Sequence, residues 1–148
     1  MQNNDITIKI VNKIGSLNMK FVQTDKAPSA IGPYSQAVVA NGIVYTSGQI
    51  ALTPEGIMLE DDVIIQTRQV LSNLQAVLDE AGSSMDRVLK TTIFIASMDD
   101  FLVINKLYEE AFGSHKPARA TVAVKTLPKN ALVEIDAVAL LREDTFSF

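Results

Sequence analysis

Tyr34-Ser35-Gln36-Ala37-Val38-Val39-Ala40-Asn41-Gly42-Ile43-Val44-Tyr45-Thr46-Ser47 reads as two strand-like runs around one turn. Asn-Gly is a strong hairpin signal because both turn positions tolerate positive φ. Residues 34–40 and 43–47 therefore pair as antiparallel neighbours. Beyond them the apolar period lengthens from two to 3.6, with Val63, Val70, Leu71, Leu74, Val77, Leu78 and Ala81 on one stripe, the pattern of a long amphipathic helix. Asp61 or Asp62 can cap its start, and Gly82 is placed to end it in the left-handed conformation. Residues 88–97 are rich in β-branched side chains and read as a strand. Asp99 or Asp100 then opens a second helix, with Phe101, Ile104, Tyr108, Ala111 and Phe112 on its apolar stripe and Gly113 as its stop. After Pro117, residues 118–125 and 132–141 read as two more strands, joined by a turn around Pro128-Lys129-Asn130.

The order is β-β-α-β-α-β-β, an α+β arrangement for which we expect a single mixed sheet of about six strands with two helices on one face. The other face is then left without cover. Val122, Val124, Ile135 and Val138 are expected there, and such a face is too apolar to meet water. Composition thus predicts an oligomer without giving its order.

The chain has 148 residues, 47% of them hydrophobic, enough for one domain with an ordinary core. We place that domain at residues 19–148. Residues 1–18 are expected to be an N-terminal extension outside the catalytic part, although residues 6–11 alternate apolar and polar and suit a short strand. No stretch has the features of a signal peptide or the length to span a bilayer, and a cytoplasmic location is expected. With no cysteine and His115 as the only histidine, thiolate chemistry drops out and metal sites and Ser-His-Asp triads lose most of their support. A net charge of −4 without a run of lysine or arginine argues against nucleic-acid binding. No glycine-rich phosphate loop is present; no cofactor and no metal are expected.

Three residues stand out chemically. Arg119, just after Pro117 at the start of a strand, offers a planar fork that matches a carboxylate; a solvent-facing strand residue is the plainer reading. Glu134 shares one strand face with Asp136 inside the apolar run Ala-Leu-Val-Glu-Ile-Asp-Ala-Val, suited either to a wet face or to orienting a water. Asn105 sits within the apolar stripe of the second helix, where an amide needs a partner. Ser47-Gly48 and Tyr34 are weaker candidates, and His115 reads as a surface residue after a helix stop.

Ile31-Gly32-Pro33-Tyr34-Ser35-Gln36-Ala37, Thr46-Ser47-Gly48-Gln49-Ile50 and Pro117-Ala118-Arg119-Ala120-Thr121-Val122, followed by Leu127-Pro128 and Val133-Glu134-Ile135, together resemble the RidA/YjgF family over residues 19–142. The resemblance implies a chorismate-mutase-like fold, a homotrimer with clefts between subunits, and hydrolysis of 2-iminopropanoate and 2-iminobutanoate to 2-keto acids and ammonia. It implies that Arg119 binds the substrate carboxylate, that Glu134 positions the hydrolytic water, and that Tyr34, Ser47, Gly48 and Asn105 line the cleft. Thr121 stands where many relatives carry cysteine, and its hydroxyl still offers a hydrogen bond. Three other readings compete: the same fold acting on an aminoacrylate-type or other enamine intermediate, a non-catalytic trimer that binds small carboxylates and regulates a partner, and, attached to the same resemblance, an endoribonuclease or translation inhibitor. One geometric difficulty remains. A tight hairpin near Pro128 pairs Arg119 with about Val138 and leaves Glu134 roughly 13 Å away at ~3.3 Å per residue, so either the turn is not tight or the two approach one ligand from different strands or subunits.

Overall fold

In the computed structural model, which describes residues 19–143, the Asn41-Gly42 turn has φ of 52° and 79°. The expected extension and its strand at residues 6–11 lie outside the described residues. The strands flanking the turn are β2 (Ala37–Ala40) and β3 (Ile43–Thr46), paired antiparallel with Ala40 opposite Ile43. A strand that the sequence reading did not resolve, β1 (Met19–Val22), pairs antiparallel with β2. The remaining elements are α1 (Val63–Ala81), β4 (Val88–Ile95), α2 (Phe101–Phe112), β5 (Ala118–Ala123) and β6 (Val133–Leu140). They form one six-stranded sheet in the order β1-β2-β3-β6-β4-β5, mixed because only the β4–β5 pair is parallel.

Both helix ends of α1 follow from its sequence. Asp62 accepts a hydrogen bond from the Ile65 N–H at 2.9 Å, and Gly82 closes the helix at φ 87°. The first turn of α2 differs from expectation. Neither Asp99 nor Asp100 caps it; Ser97 instead accepts from the Asp99 N–H, starting a short 3-10 turn that leads into the helix. Leu107 takes the buried place expected of Ala111, which is exposed.

Both helices cover one face of the sheet. Strand β6 shows the division residue by residue: Val133, Ile135, Ala137 and Ala139 are buried, while Glu134, Asp136, Val138 and Leu140 are half-buried on the opposite face. The core joins Val44, Ile93, Ile95 and Ile135 of the sheet to Val70, Leu74, Val77 and Leu78 of α1 and Ile104 of α2. Each such side chain taken from water contributes about 1.5–3 kcal/mol. Ile135 therefore belongs to the covered face, not the open one; at odd spacing from Val138 it points the other way.

The expected β5–β6 hairpin does not form. After β5 the chain crosses the end of the sheet through the turn Pro128–Asn130, where Lys129 and Asn130 hold φ of 56° and 53°. Strand β6 then enters between β3 and β4, so β4 separates β5 from β6. With β4 lying between them, β6 cannot return along β5, and it finds partners on both its edges instead.

Candidate functional site

The division of the sheet into a covered and an open face decides where the expected site residues go. On the open face, the chain leaving β3 continues along β6 through a two-way bridge: the Gln49 N–H donates to the Ile135 carbonyl at 2.9 Å, and the Ile135 N–H returns the bond at 3.1 Å. That bridge brings Gly48 against Glu134. A Cβ added to Gly48 would overlap Glu134 Oε1 and lie 2.9 Å from its Cδ, so only glycine leaves the carboxylate where it is. Glu134, Gly48, Ser47 and Tyr34 line a cavity of about 350 Å³ together with Pro28, Ile31 and Leu52.

The cavity wall is held by a residue the sequence reading passed over. Gln36 is fully buried; its side chain accepts from the Thr24 N–H at 2.7 Å and donates to the carbonyls of Thr24 and Pro28 at 3.1 and 2.8 Å. An amide among apolar hairpin residues was the available signal, since a buried amide requires such partners. The Ser47 hydroxyl donates to the Ser35 carbonyl at 2.6 Å, which commits its proton and leaves its lone pairs toward the cavity. Tyr34 stands half-exposed at the rim, its hydroxyl accepting from the Ile31 N–H at 3.4 Å.

Glu134 is electrostatically unusual. Desolvation raises its pKa above the ordinary 4.5, and the neighbouring negative charge of Asp136 raises it further. Burial also raises Asp136, opposed by a hydrogen bond from Thr92 and by the charge of Lys90. Both acids share one face, as the strand alternation requires.

Arg119 lies on the other face. In the parallel pair it sits beside Thr91, a buried residue of the covered side, whereas Glu134 sits beside Phe94 of the open side. Arg119 Nη1 donates to Asn105 Oδ1 at 2.8 Å, and its guanidinium carbon lies 5.0 Å from the Tyr108 ring centre and 5.8 Å from that of Phe101. A second cavity, about 470 Å³, opens here between β5 and α2 with Arg119, Asn105 and Tyr108 in its wall. Thr121, two residues on, has a buried hydroxyl oxygen without a hydrogen-bond partner. His115 Nε2 sits 2.6 Å from the Val88 carbonyl, which ties the end of α2 to β4. Within one chain the expected residues thus split into two halves: Tyr34, Ser47, Gly48 and Glu134 in one, and Asn105, Arg119 and Thr121 in the other.

The chain that carries these two half-sites is similar to known proteins. The family model described as endoribonuclease L-PSP matches residues 24–141. The chain belongs to the RidA/YjgF family. Among curated members, a RutC family protein of Synechocystis is 50% identical over 84% of this chain and 98% of its own length. The 2-iminobutanoate/2-iminopropanoate deaminase of Homo sapiens is 41% identical over 86% of this chain and 93% of its own. The crystal structure of E. coli TdcF with bound serine matches at a TM-score of 0.79 and 40% identity, covering 83% of this chain and 99% of that one. Among RidA/YjgF members, then, this chain is similar both to a protein named as a RutC family member and to one named as a deaminase.

Proposed function

We propose that this protein hydrolyses 2-imino acids, including 2-iminopropanoate and 2-iminobutanoate, to 2-keto acids and ammonia, in a homotrimer whose clefts join Arg119 of one subunit to Glu134 of the next. One observation carries this reading. The carboxylate-binding fork and the desolvated carboxylate lie on opposite faces of one sheet, so a ligand needing both requires a second copy of the chain. The open face supplies the surface for it: Phe21, Tyr45 and Val122 are 67%, 48% and 43% exposed there. The human relative's name and the serine bound to the E. coli relative, a small amino carboxylate, point to the same ligand chemistry.

The chemistry needs little machinery, because a C=N carbon is already electrophilic and orientation is most of the task. Arg119 holds the substrate carboxylate in a bidentate pair. Glu134 accepts a proton from the water attacking the protonated imine, as the C–O bond forms and the C=N electron pair moves to nitrogen, and it hands that proton to the carbinolamine nitrogen. The restored carboxylate takes the hydroxyl proton while the C–N bond breaks and ammonia leaves, and it then releases this proton to the ammonia. Desolvation makes Glu134 a stronger base than an exposed carboxylate. RNA cleavage, the other activity named for the family, fits less well with a net charge of −4.

A coupled assay tests the reading. Threonine dehydratase generates 2-iminobutanoate, and keto-acid appearance is followed with and without the protein. Faster appearance is expected; an unchanged rate overturns the proposal.

A further inference from the structure

Arg119 belongs to an edge strand and its side chain reaches into solvent, yet its fork does not swing freely. Phe101, Asn105 and Tyr108 occupy one face of α2 at spacings of four and three, and all three meet the guanidinium. Of these, Tyr108 is fixed at both ends. Its backbone is in the helix, its ring is buried, and its hydroxyl shares a buried 2.7 Å hydrogen bond with Thr91 Oγ1. Thr91 is the residue of β4 directly opposite Arg119. The ring therefore bridges helix to sheet beneath the arginine. With Nη1 turned to Asn105, the Nε–Nη2 edge is the one able to offer two parallel donors to a carboxylate.

We infer that Tyr108, held by Thr91, is a positioning residue that sets the plane of the Arg119 fork. The inference rests on the reading of Arg119 as the carboxylate anchor. A guanidinium stacked on an aromatic face keeps its plane, whereas a free arginine loses substantial rotamer entropy when it binds. The pKa of the Tyr108 hydroxyl is raised by burial, with the Thr91 hydrogen bond and the Arg119 charge opposing; the ring thus stays neutral and its quadrupole available to the cation.

The test uses the full chain with three substitutions, Tyr108→Leu, Tyr108→Phe and Thr91→Val, each made also in an Arg119→Lys background. Three quantities are read: the Arg119 Nε–Hε resonance by ¹⁵N NMR, kcat and KM for 2-iminobutanoate, and the Kd of 2-ketobutanoate. Removing the ring should cut the ring-current shift of the arginine resonance to what Phe101 alone supplies and raise KM and Kd by about tenfold, leaving kcat little changed, because the carboxylate contact is made in ground and transition states alike. Tyr108→Phe and Thr91→Val keep the ring and lose its tether, and both should raise KM by about threefold. In the lysine background all three substitutions should change KM by less than about twofold, since an ammonium has no plane to orient.

Equal losses in the arginine and lysine backgrounds would reduce Tyr108 to a structural role and overturn the inference. So would an arginine resonance and KM that ignore Tyr108→Phe and Thr91→Val, two variants that preserve packing volume and fold even where Tyr108→Leu does not. Wild-type protein that binds 2-ketobutanoate through a shifted Arg119 resonance but hydrolyses no imine defeats the deaminase reading and leaves the platform standing. Wild-type protein that binds no keto acid overturns both.

Discussion

Exchanging Arg119 separates charge from geometry. Arg119→Ala removes the carboxylate partner and should lower kcat/KM for 2-iminobutanoate by about a hundredfold or more, while Arg119→Lys keeps the charge, loses the fork and should still lose about tenfold. Neither should move the thermal midpoint much, because the side chain reaches solvent from an edge strand; wild-type turnover by the alanine variant would remove Arg119 from the mechanism. Glu134 makes a prediction of opposite sign for two observables. Its folded pKa lies above the ordinary 4.5, so the folded state holds this proton more tightly than the unfolded one. The stability this supplies is complete below pH 4.5 and is lost as pH rises through the folded value. Activity should instead rise over that same window, because the base must be ionised. In Glu134→Gln the carboxyl no longer titrates. Its melting temperature should therefore exceed the wild type's near neutrality by a margin that shrinks as pH falls toward 4.5, and its turnover should be poor at every pH. Scanning calorimetry across a pH series reads the first effect and the coupled assay the second. The roles proposed for Arg119 and Glu134 come from the family motifs, since an arginine beginning a strand and an acid in an apolar strand each fit a wet surface equally well. The Tyr108–Thr91 bridge was beyond the sequence altogether. It depends on which strand lies under α2, and nothing in the residues 88–97 or 101–112 encodes that pairing.

At the scale of elements, local chemistry was decisive where the sequence carried it. Asn41-Gly42 and Gly82 take the positive φ expected of them, and Asp62 caps α1. Asp62→Ala should destabilise the fold by about 1 kcal/mol, seen as a lower denaturation midpoint at unchanged slope; an unchanged midpoint would mean that packing of Val70, Leu74 and Leu78 alone fixes the helix start. What failed was long-range pairing. Two apolar runs flanking a Pro-containing turn read as a hairpin, yet β6 inserts between β3 and β4 and leaves β5 parallel at the edge. Both arrangements satisfy the same alternation and the same turn. The choice between them is made by which strands pair with the two edges of β6, a tertiary property. The same reason explains β1: Met-Lys-Phe-Val is too short to announce a strand, and its pairing comes from the β2 edge already in place. Once β6 lies beside β4, the parity of β6 puts Glu134 outward and Ile135 inward, and the 13 Å difficulty becomes a difference of face.

For the whole molecule, that difference of face makes assembly and catalysis one question. The open side of the sheet carries Met19 and Phe21 of β1, Tyr45 of β3 and Val122 of β5, all substantially exposed, and leaving such surface in water forgoes ~25 cal/mol for each Å² that could be buried. Under the proposed function, identical subunits packed about a closed axis would remove it from water and bring the Arg119 edge of one chain toward the Glu134 cavity of another. Sedimentation at low micromolar concentration should accordingly report about three chains. Val122→Glu places a charge on this face without touching the core, since Val122 is 43% exposed within one chain. It should shift the sedimenting species toward single chains, leave the circular dichroism of the fold intact, and abolish imine hydrolysis even though Arg119, Glu134 and Gly48 are all still present. Mixing Arg119→Ala chains with Glu134→Gln chains supplies the converse: each should be strongly impaired alone, and exchange of subunits should restore part of the wild-type rate in those clefts that receive the intact residue from both neighbours. A single-chain species with full activity, or mixed variants that recover nothing although light scattering shows them co-assembled, would break the link between the split site and the trimer.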